Sequence, residues 1–287
     1  MTIESRVRGA TLAGIAVLFA GCATRSATPA PRDGSPRGAG SEGAGETENL
    51  AKKLSNPVAD LISVPFQFNY DNQVGPTESG ETYRLNVQPV IPISLTAEWN
   101  LISRTIVPLV DLEDVAPGTD QSGLGDVLQS AFFSPGAPTA GGWIFGAGPV
   151  LLLPTGTDEL LTGRKWGAGP TGVALRQTGP WTWGALANHV WSFAGDADRD
   201  DVNATYLQPF LSHTTATATT FVVNTESTFD WEEDEWSVPL NFAVAQIVRV
   251  GKLPVQFQIG ARWWVDSPDD GPEGWGGRFA ITFLFPK

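Results

Sequence analysis

Hydrophobic and polar residues alternate with a period of two along most of the chain after residue 60. At the start of this region, Phe66, Phe68 and Tyr70 alternate with Gln67 and Asn69. Successive side chains of a β-strand point to opposite faces of the sheet, so this alternation is typical of a strand with one apolar face. The same period recurs up to the last residues, and it predicts an all-β chain.

The alternating segments define twelve candidate strands. They cover approximately residues 63–71, 83–94, 99–110, 124–134, 142–153, 165–176, 181–193, 202–214, 219–230, 236–249, 255–266 and 275–285. Each has at least about nine residues, the length that a tilted membrane-spanning strand requires. An even number of strands is also what a closed antiparallel barrel of a bacterial outer membrane needs.

The connections between these strands fall into two classes. Those after odd-numbered strands are mostly long and acidic, as in DWEEDEW (residues 230–236), whereas those after even-numbered strands are mostly short. Twenty-two of the 31 acidic residues lie in the long connections, and Glu98 is the only one in the short connections. Long loops at one end and short turns at the other are typical of an outer-membrane barrel, and the pattern places both ends of the barrel on the short-turn side.

The tryptophans lie near the ends of the predicted strands and not at their centres. Those at the long-loop end are Trp166, Trp191, Trp231, Trp236, Trp263, Trp264 and Trp275, and those at the opposite end are Trp99, Trp143, Trp181 and Trp183. Indole rings prefer the boundary between lipid and water, where both the apolar ring and the polar N–H are accommodated. All eleven are therefore predicted to form aromatic girdles.

These patterns predict a single closed antiparallel transmembrane β-barrel of about twelve strands over residues 61–287. A soluble β-sandwich, for example a secreted lectin, is the alternative, but it does not account for the tryptophan positions or for the two classes of loop. Prolines inside the predicted strands, among them Pro149, Pro170, Pro209 and Pro239, remove hydrogen-bond donors from the ladder. We expect kinks or bulges at those positions.

The first sixty residues have a different composition. Residues 1–21 contain two arginines before an apolar stretch, which is typical of an export signal. The stretch ends in Phe-Ala-Gly before Cys22 and resembles a lipoprotein cleavage site, so we expect lipidation of Cys22; an ordinary secretory signal is the alternative. Residues 22–60 are predicted to be a flexible tether rich in Ala, Gly, Ser and Pro, with a short helix over residues 50–62 broken near Pro57.

Charge and cysteine content exclude several classes of function. The net charge is −13, and nucleic-acid binding requires basic stripes that the sequence lacks. With one cysteine, the chain cannot form an intramolecular disulfide. The oligomeric partner, if there is one, cannot be named from these features.

Residues 61–287 resemble a family of uncharacterised bacterial outer-membrane β-barrels. The matching stretches include NVQPVIPISL, GLGDVLQSAFFSP, GAGPVLLLPT, KWGAGPTGVAL and the closing RFAITFLFPK. Members of that family are usually labelled transporters and sometimes mislabelled neuromedin U, and they are similar to barrels of the phenol meta-degradation type. The resemblance implies an outer-membrane barrel that takes up hydrophobic or aromatic compounds.

Two motifs suggest ligand chemistry but fail their structural requirements. GAGPTG (residues 167–172) fits the dinucleotide-binding pattern, yet that motif must lie between a strand and a helix, and here a strand pattern continues through Pro170. DADRDD (residues 196–201) resembles the start of an EF-hand loop, but Asp201 and Leu207 replace the required Gly and Glu. No catalytic, cofactor-binding or metal-binding residue is therefore predicted; looser calcium or magnesium binding by the loop acids is the alternative to a solvated loop.

The two histidines, His189 and His213, do not suggest a shared site. His189 is expected to pair with the eighth strand near Leu207, which places His213 roughly 20 Å away at about 3.3 Å per residue. A lipid-modifying enzyme would centre on His189 with Asn188 or Ser192, and this hypothesis is the least favoured of those considered.

A set of polar side chains is predicted to line the barrel interior. By strand parity the set comprises Arg84, Arg104, Glu226, Arg249, Arg262, Arg278, Gln67, Asn69, Asn86, Gln88, Gln256 and Gln258. The eleventh, twelfth, first and second strands are neighbours only if the barrel closes, and closure would gather most of these side chains on one wall. They would either line a selective pore or fill a small lumen as structural pairs.

The sequence therefore predicts a porin-like channel or transporter in the outer membrane of a Gram-negative bacterium. Small-molecule solutes would pass through it passively, and outer-membrane lipid and lipopolysaccharide would surround it. The acidic loops would be extracellular and both termini periplasmic. The alternatives are a closed structural barrel and, less favoured, the lipid-modifying enzyme.

Overall fold

The computed structural model describes residues 39–116 and 118–286. The predicted signal peptide (residues 1–21) and Cys22 lie outside the described residues. The predicted antiparallel barrel is confirmed, and the chain forms one helix and twelve barrel strands within the described ranges.

The twelve strands follow one another in sequence order. They are β1 (Ile62–Val74), β2 (Gly80–Val87 and Val90–Ser94), β3 (Trp99–Ala116), β4 (Thr119–Leu124 and Val127–Pro135), β5 (Trp143–Leu153), β6 (Lys165–Thr178), β7 (Trp181–Gly195), β8 (Asn203–Thr214), β9 (Thr219–Thr225 and Ser227–Asp230), β10 (Glu235–Val250), β11 (Leu253–Asp266) and β12 (Trp275–Phe285). All twelve predicted segments are strands. The structure extends several of them, most of all β3, beyond the predicted ends.

The last strand pairs with the first and closes the barrel. Each strand is antiparallel to the next, and β12 pairs with β1 from Ile62 opposite Phe285 to Tyr70 opposite Gly277. Closure satisfies the backbone groups that an open sheet would leave at its edges, which is the condition for a sheet to span a membrane.

The outer surface of the barrel is apolar and the inner surface is mixed. On the outside, large side chains such as Ile259 and Phe279 are exposed by 69% and 44%. On the inside, Ile102, Phe132 and Leu175 are fully buried. A continuous exposed apolar belt is expected of a surface that contacts lipid and not of a soluble protein. The β-sandwich interpretation is therefore wrong.

Prolines interrupt the strand ladders, as the sequence predicts. β9 is broken at Glu226. The register of the neighbouring strands places Pro239 of β10 directly opposite Glu226 and Pro209 of β8 opposite the preceding residue, Thr225. Pro149 and Pro170 face each other across β5 and β6, and the pairings of these strands with β4 and β7 are interrupted at the same level. Proline has no N–H to donate, so the neighbouring strand loses its partner there.

The helix lies earlier in the chain than the sequence predicts. α1 covers Ala39–Leu54, so it begins at Ala39 and not at Leu50, and part of the predicted flexible tether is helical. A pair between Lys52 and Glu48, 2.7 Å apart, stabilises one turn. The helix ends before Pro57, where a turn closed by the Asn56 side chain replaces the predicted continuation to residue 62. Within the described residues, no helix is both long enough and apolar enough to cross a bilayer.

The end of α1 and the residues after it occupy the short-turn end of the lumen; we call residues 45–61 the plug segment. Leu50, Ala51 and Leu61 pack against Ala218 in the β8–β9 turn and against side chains of β10 and β12. Val58 packs against an apolar cluster of inward-facing side chains on β3, β4, β6 and β7, namely Ile102, Phe132, Val173, Leu175 and Leu186. The plug segment is therefore held by apolar contacts on opposite sides of the lumen.

Two glycines of β6 differ in the space that the neighbouring strands leave for a side chain. A Cβ added to Gly169 would lie 1.7 Å from the carbonyl oxygen of His189 on β7, whereas a Cβ on Gly172 would have its nearest neighbour at 3.8 Å. We expect Gly169→Ala to lower the free energy of unfolding by about 1–3 kcal/mol, because the backbone must shift to remove the overlap. Gly172→Ala is the matched control, with an expected change within about 0.5 kcal/mol. Urea unfolding of the two refolded variants measures both, and equal stability would contradict the close approach.

Candidate functional site

A cavity of about 880 Å³ lies inside the barrel. Leu54, Ser55 and Pro57 of the plug segment line it on one side, and inward side chains of β1 to β4 and β8 to β12 form most of its wall. A volume of this size is typical of a site for a small molecule.

Most of the predicted pore-lining residues face this cavity. Those that line it are Gln67, Asn69, Arg84, Asn86, Gln88, Arg104, Glu226, Gln256, Gln258, Arg262 and Arg278. Arg249 does not: it lies near the short-turn end of β10 and pairs with Glu46 of α1 at 2.6 Å. Parity alone could not reveal this contact, because the position of the helix is not encoded in the strand pattern.

Arg278 and Glu226 form the most complete ion pair in the lumen. The Arg278 guanidinium donates to both Glu226 carboxylate oxygens, at 2.9 Å and 2.7 Å, and its Nε donates to Asn69 Oδ1 at 2.7 Å. Arg278 is only 3% exposed. Paired hydrogen bonds between an arginine and a carboxylate fix both groups in one geometry, so this pair ties β12, β1 and β9 together. Of the two predicted roles, this contact corresponds to structural filling.

A second cluster joins Arg262, Asp71 and Trp264. Arg262 Nε lies 3.3 Å from Asp71 Oδ1, and the same oxygen accepts a hydrogen bond from Trp264 Nε1 at 2.9 Å. The Arg262 guanidinium also lies 5.2 Å from the centroid of the Trp264 ring, a cation–π distance. Gly276 lies between Arg262 and Asp71 in the ladder, and a Cβ there would come within 2.7 Å of Asp71 Oδ1. The glycine therefore leaves the space that this contact needs.

This cluster corrects one assignment made from sequence and adds a residue. Trp264 was predicted to belong to the aromatic girdle, but it lines the lumen cavity. Asp71 lies at the end of the predicted strand 63–71 and was not among the predicted lining residues; β1 continues to Val74, and Asp71 also lines the cavity. Trp263 and Trp264 are adjacent on β11, and a strand directs only one of two consecutive side chains outward. That rule was a signal in the sequence that could have identified Trp264.

The other tryptophans lie on the outside, as expected for girdles. Trp99, Trp143, Trp166, Trp181, Trp183, Trp191, Trp231, Trp236, Trp263 and Trp275 are between 38% and 59% exposed. Trp263 and Trp275 stack across β11 and β12 with centroids 5.9 Å apart, and Trp143 and Trp183 pack edge to face at the opposite end. Exposed indoles concentrated at strand ends agree with a membrane boundary at each end.

Neither Arg84 nor Arg104 forms a direct ion pair with a described carboxylate, although Glu226 interacts electrostatically with both and Asp71 with Arg84. Arg104 Nη2 donates to Gln88 Oε1 at 3.0 Å. Arg84 is exposed to the cavity and forms neither an ion pair nor a hydrogen bond with a described side chain. In total, four arginines and three acids line the cavity, and the third acid is Asp126.

Asp126 is already used to hold a loop. Its two carboxylate oxygens accept hydrogen bonds from the backbone N–H groups of Gly156 and Gly163, at 3.0 Å and 2.9 Å. These contacts attach the loop between β5 and β6 to the start of the second segment of β4. Asp126 therefore has a structural partner, and the lumen retains an excess of positive charge.

The loop between β7 and β8 is ordered by its own acids. Asp201 accepts hydrogen bonds from Lys165 Nζ and Ser192 Oγ, both at 3.0 Å, and these contacts lower the pKa of its carboxyl group. A hydrogen bond from the Asp198 backbone N–H, with smaller contributions from Arg164, lowers the pKa of Asp196. Both groups therefore stay ionised at neutral pH, and this entrance remains anionic.

The histidines lie far apart and outside the lumen. His189 is opposite Thr205, not Leu207 as predicted, and its Nδ1 lies 2.7 Å from Thr205 Oγ1. Asn188 lines the cavity on the opposite face of β7, and Ser192 donates to Asp201. Neither residue predicted to assist His189 contacts it, so the arrangement proposed for a lipid-modifying enzyme is not formed.

Comparison with known proteins supports the fold. No protein family model and no curated protein matches the chain. Among solved structures, an outer membrane channel from Pseudomonas putida F1 superposes with a TM-score of 0.63 at 13% identity, over 79% of this chain and 96% of the other. OccK7 from Pseudomonas aeruginosa gives a TM-score of 0.38 at 10% identity, over 79% and 99% of the two chains. Outer membrane phospholipase A from Escherichia coli gives 0.44 at 9% identity, over 84% and 98%. The first of these superpositions shows that the chain has the fold of an outer-membrane β-barrel.

The Arg278–Glu226 pair should be far more important for stability than an exposed pair. Glu226→Gln leaves the Arg278 charge buried without its carboxylate, and we expect the free energy of unfolding to fall by about 3–5 kcal/mol. The matched control is Glu159→Gln, whose partner Arg164 is 44% exposed, with an expected change of about 0–1 kcal/mol. Urea unfolding in lipid vesicles measures both, and equal losses would show that the lumen pair is already solvated.

Proposed function

We propose that the protein is a porin-like channel through which small molecules cross the outer membrane passively. The observation that carries the proposal is the charged, polar cavity of about 880 Å³ inside a closed barrel with an apolar outer surface. A barrel that served only as an anchor would need no such cavity. Rings of fixed charge in a narrow lumen orient solutes and select among ions.

The plug segment makes the channel narrow or closed at its short-turn end. Its polar contacts include a hydrogen bond from Gln177 Nε2 to the Lys52 carbonyl oxygen at 2.8 Å and an ion pair between Glu46 and the 41% exposed Arg249. Burial of Leu50 and Leu61 supplies about 1.5–3 kcal/mol for each side chain. The segment can therefore be weakened without altering the barrel strands.

A closed structural barrel is the second candidate, and the plug segment is the observation that favours it. Both candidates predict a folded barrel in the outer membrane, but only the channel predicts ion flow. Single-channel conductance of the purified, refolded protein in a planar bilayer separates them.

Weakening the plug segment should open the channel. We expect Leu50→Ser combined with Leu61→Ser to increase the single-channel conductance or the open time, because both leucines anchor the segment to the lumen. Leu160→Ser is the matched control; Leu160 is 53% exposed in the β5–β6 loop, and its replacement should change neither quantity. If the folded double variant remains without conductance, the barrel is closed for another reason and the structural role is favoured.

We further propose that the acidic loops face the outside of the cell and that both termini of the barrel are periplasmic. Long loops on the extracellular side and short turns on the periplasmic side support this orientation. The proposal includes lipidation of Cys22, outside the described residues, and contact of the girdles with lipopolysaccharide. The hydrophobic or aromatic solutes that the family resemblance implies also belong to this proposal.

Thiol labelling of intact cells tests the orientation. Glu233→Cys places a thiol in the long β9–β10 loop, and Lys252→Cys places one in the short β10–β11 turn. With a membrane-impermeant maleimide we expect labelling of the first variant only, with the unaltered protein as the blank. Labelling of Lys252→Cys alone would show that the barrel has the opposite orientation in the membrane.

A further inference from the structure

We propose that the lumen cavity contains a binding site for a small carboxylate anion attached to an apolar group, with Arg84 and Arg262 as the recognising residues. The inference rests on the proposed channel function and names the class of solute for it. Charge balance, unfilled hydrogen-bond donors and the apolar side of the cavity each support it.

The first argument is the charge balance. The Arg278 charge is matched by Glu226 in a two-point contact, and Asp71 is close to Arg262. Arg84 forms no ion pair with a described carboxylate: Asp71 and Glu226 act on it only at longer range, and both are already in direct contact, with Arg262 and Arg278 respectively. Charges held inside a protein require compensation, and an anion that enters from solution can supply what the fold does not.

The second argument is an unfilled donor on Arg262. Its side chain is 8% exposed, and its buried Nε has no hydrogen-bond partner. Asp71 Oδ1 is within ion-pair distance, but the Nε–H does not point at it, and that oxygen already accepts from Trp264. Asp71 and Trp264 therefore hold Arg262 in position, and because its Nε is buried, its terminal Nη groups, which donate no hydrogen bond to a described residue, are the donors left for an anion in the cavity.

The strand register places these groups in two adjacent rows on one wall. Arg84 is opposite Asn69, and Asn69 is opposite Arg278, so this row crosses β2, β1 and β12. Arg262 is opposite Gly276 on β12, two positions from Arg278. Arg84 on β2 and Arg262 on β11 are three strands apart, which is about 14 Å at about 4.8 Å per strand, and they differ by two positions along the strands, about 7 Å. Both long side chains line the cavity and can approach the same small anion there.

The remaining wall favours an apolar body on that anion. Ile106, Leu128, Phe210 and Val222 line the same cavity on β3, β4, β8 and β9. The arginine wall would bind the carboxylate, and these side chains would contact the rest of the solute. Inorganic phosphate has the same oxyanion chemistry but cannot use the apolar surface, so the two ligands are distinguishable.

Isothermal titration calorimetry of the full-length protein, folded in detergent, tests the site without requiring ion flow. With potassium benzoate as the probe, we expect binding to the unaltered protein that Arg84→Gln weakens by about tenfold or more, since hydrogen bonds to charged groups are strong. The Arg84 side chain donates no hydrogen bond to the described residues, so its replacement should leave folding intact. Arg176→Gln is the matched control: it removes an exposed arginine from the outer face of β6 and should leave the affinity unchanged.

Two further ligand and variant arms define the outcome. Arg84→Lys should retain part of the affinity because it keeps the charge but not the two-point geometry. Phosphate binding as tight as benzoate would overturn the role of the apolar wall. Equal affinity of the unaltered protein and Arg84→Gln, or no benzoate binding at all, would overturn the site itself.

Reversal potentials in planar bilayers, under a tenfold potassium chloride gradient, separate the site from the channel. We expect anion selectivity that decreases in Arg84→Gln and is kept in Arg84→Lys and Arg176→Gln. Benzoate binding without conductance would retain the site and reject the channel. Conductance that is cation-selective, without benzoate binding, would retain the channel and reject the site.

Discussion

The pairing of β12 with β1 is the contact on which the lumen depends. Nine residue pairs join these strands, and they are the first and last strands of the barrel. Without that ladder, Arg278 and Asn69 would lie at opposite edges of an open sheet. With it, β11, β12, β1 and β2 become one wall, and Asn69 and Arg278, which are 209 positions apart in the sequence, become neighbours. The charged face of the cavity is therefore a product of closure and not of any local motif.

Closure also explains why buried charge is tolerated here. A closed barrel of twelve strands has an interior that must be filled by side chains, water or an inserted segment. In this chain, side chains and an inserted segment fill it: the Arg278–Glu226 pair, the Arg262–Asp71–Trp264 cluster and the plug segment. The prolines beside Glu226 interrupt the ladder at the same position where the strand contributes its inward carboxylate. Glu226 is thus left out of the backbone ladder, while both of its carboxylate oxygens accept hydrogen bonds from Arg278.

Much of the fold was accessible from the sequence because a period of two is a strong signal over twelve segments. Parity also selected most of the residues that line the cavity, because inward and outward positions alternate strictly along a strand. The assignment of Trp264 to the girdle was wrong because an expectation about tryptophans at strand ends was preferred to parity. Parity could not place Arg249 or α1, since their contacts depend on how the plug segment enters the lumen. That segment is short and mixed in composition, and it is held by contacts of Glu46, Leu50 and Ala51 with distant strands and not by a clear local pattern.

The plug segment and the arginine wall divide the lumen into two parts. Val58 packs on inward side chains of β3, β4, β6 and β7, which are the apolar part of the interior. The polar side chains of β11, β12, β1 and β2 face the remaining cavity, so the contacts of Val58 lie away from the charged wall, whereas Leu50 and Leu61 pack in one cluster with Leu284 of β12. In the proposed channel, a solute that passes beside the plug segment moves along the arginines. Because these outnumber the acids around the cavity, such a lumen favours anions although the chain as a whole has a net charge of −13. On that proposal, the sign of the charge at the lumen, and not the sign of the whole protein, determines which solutes enter.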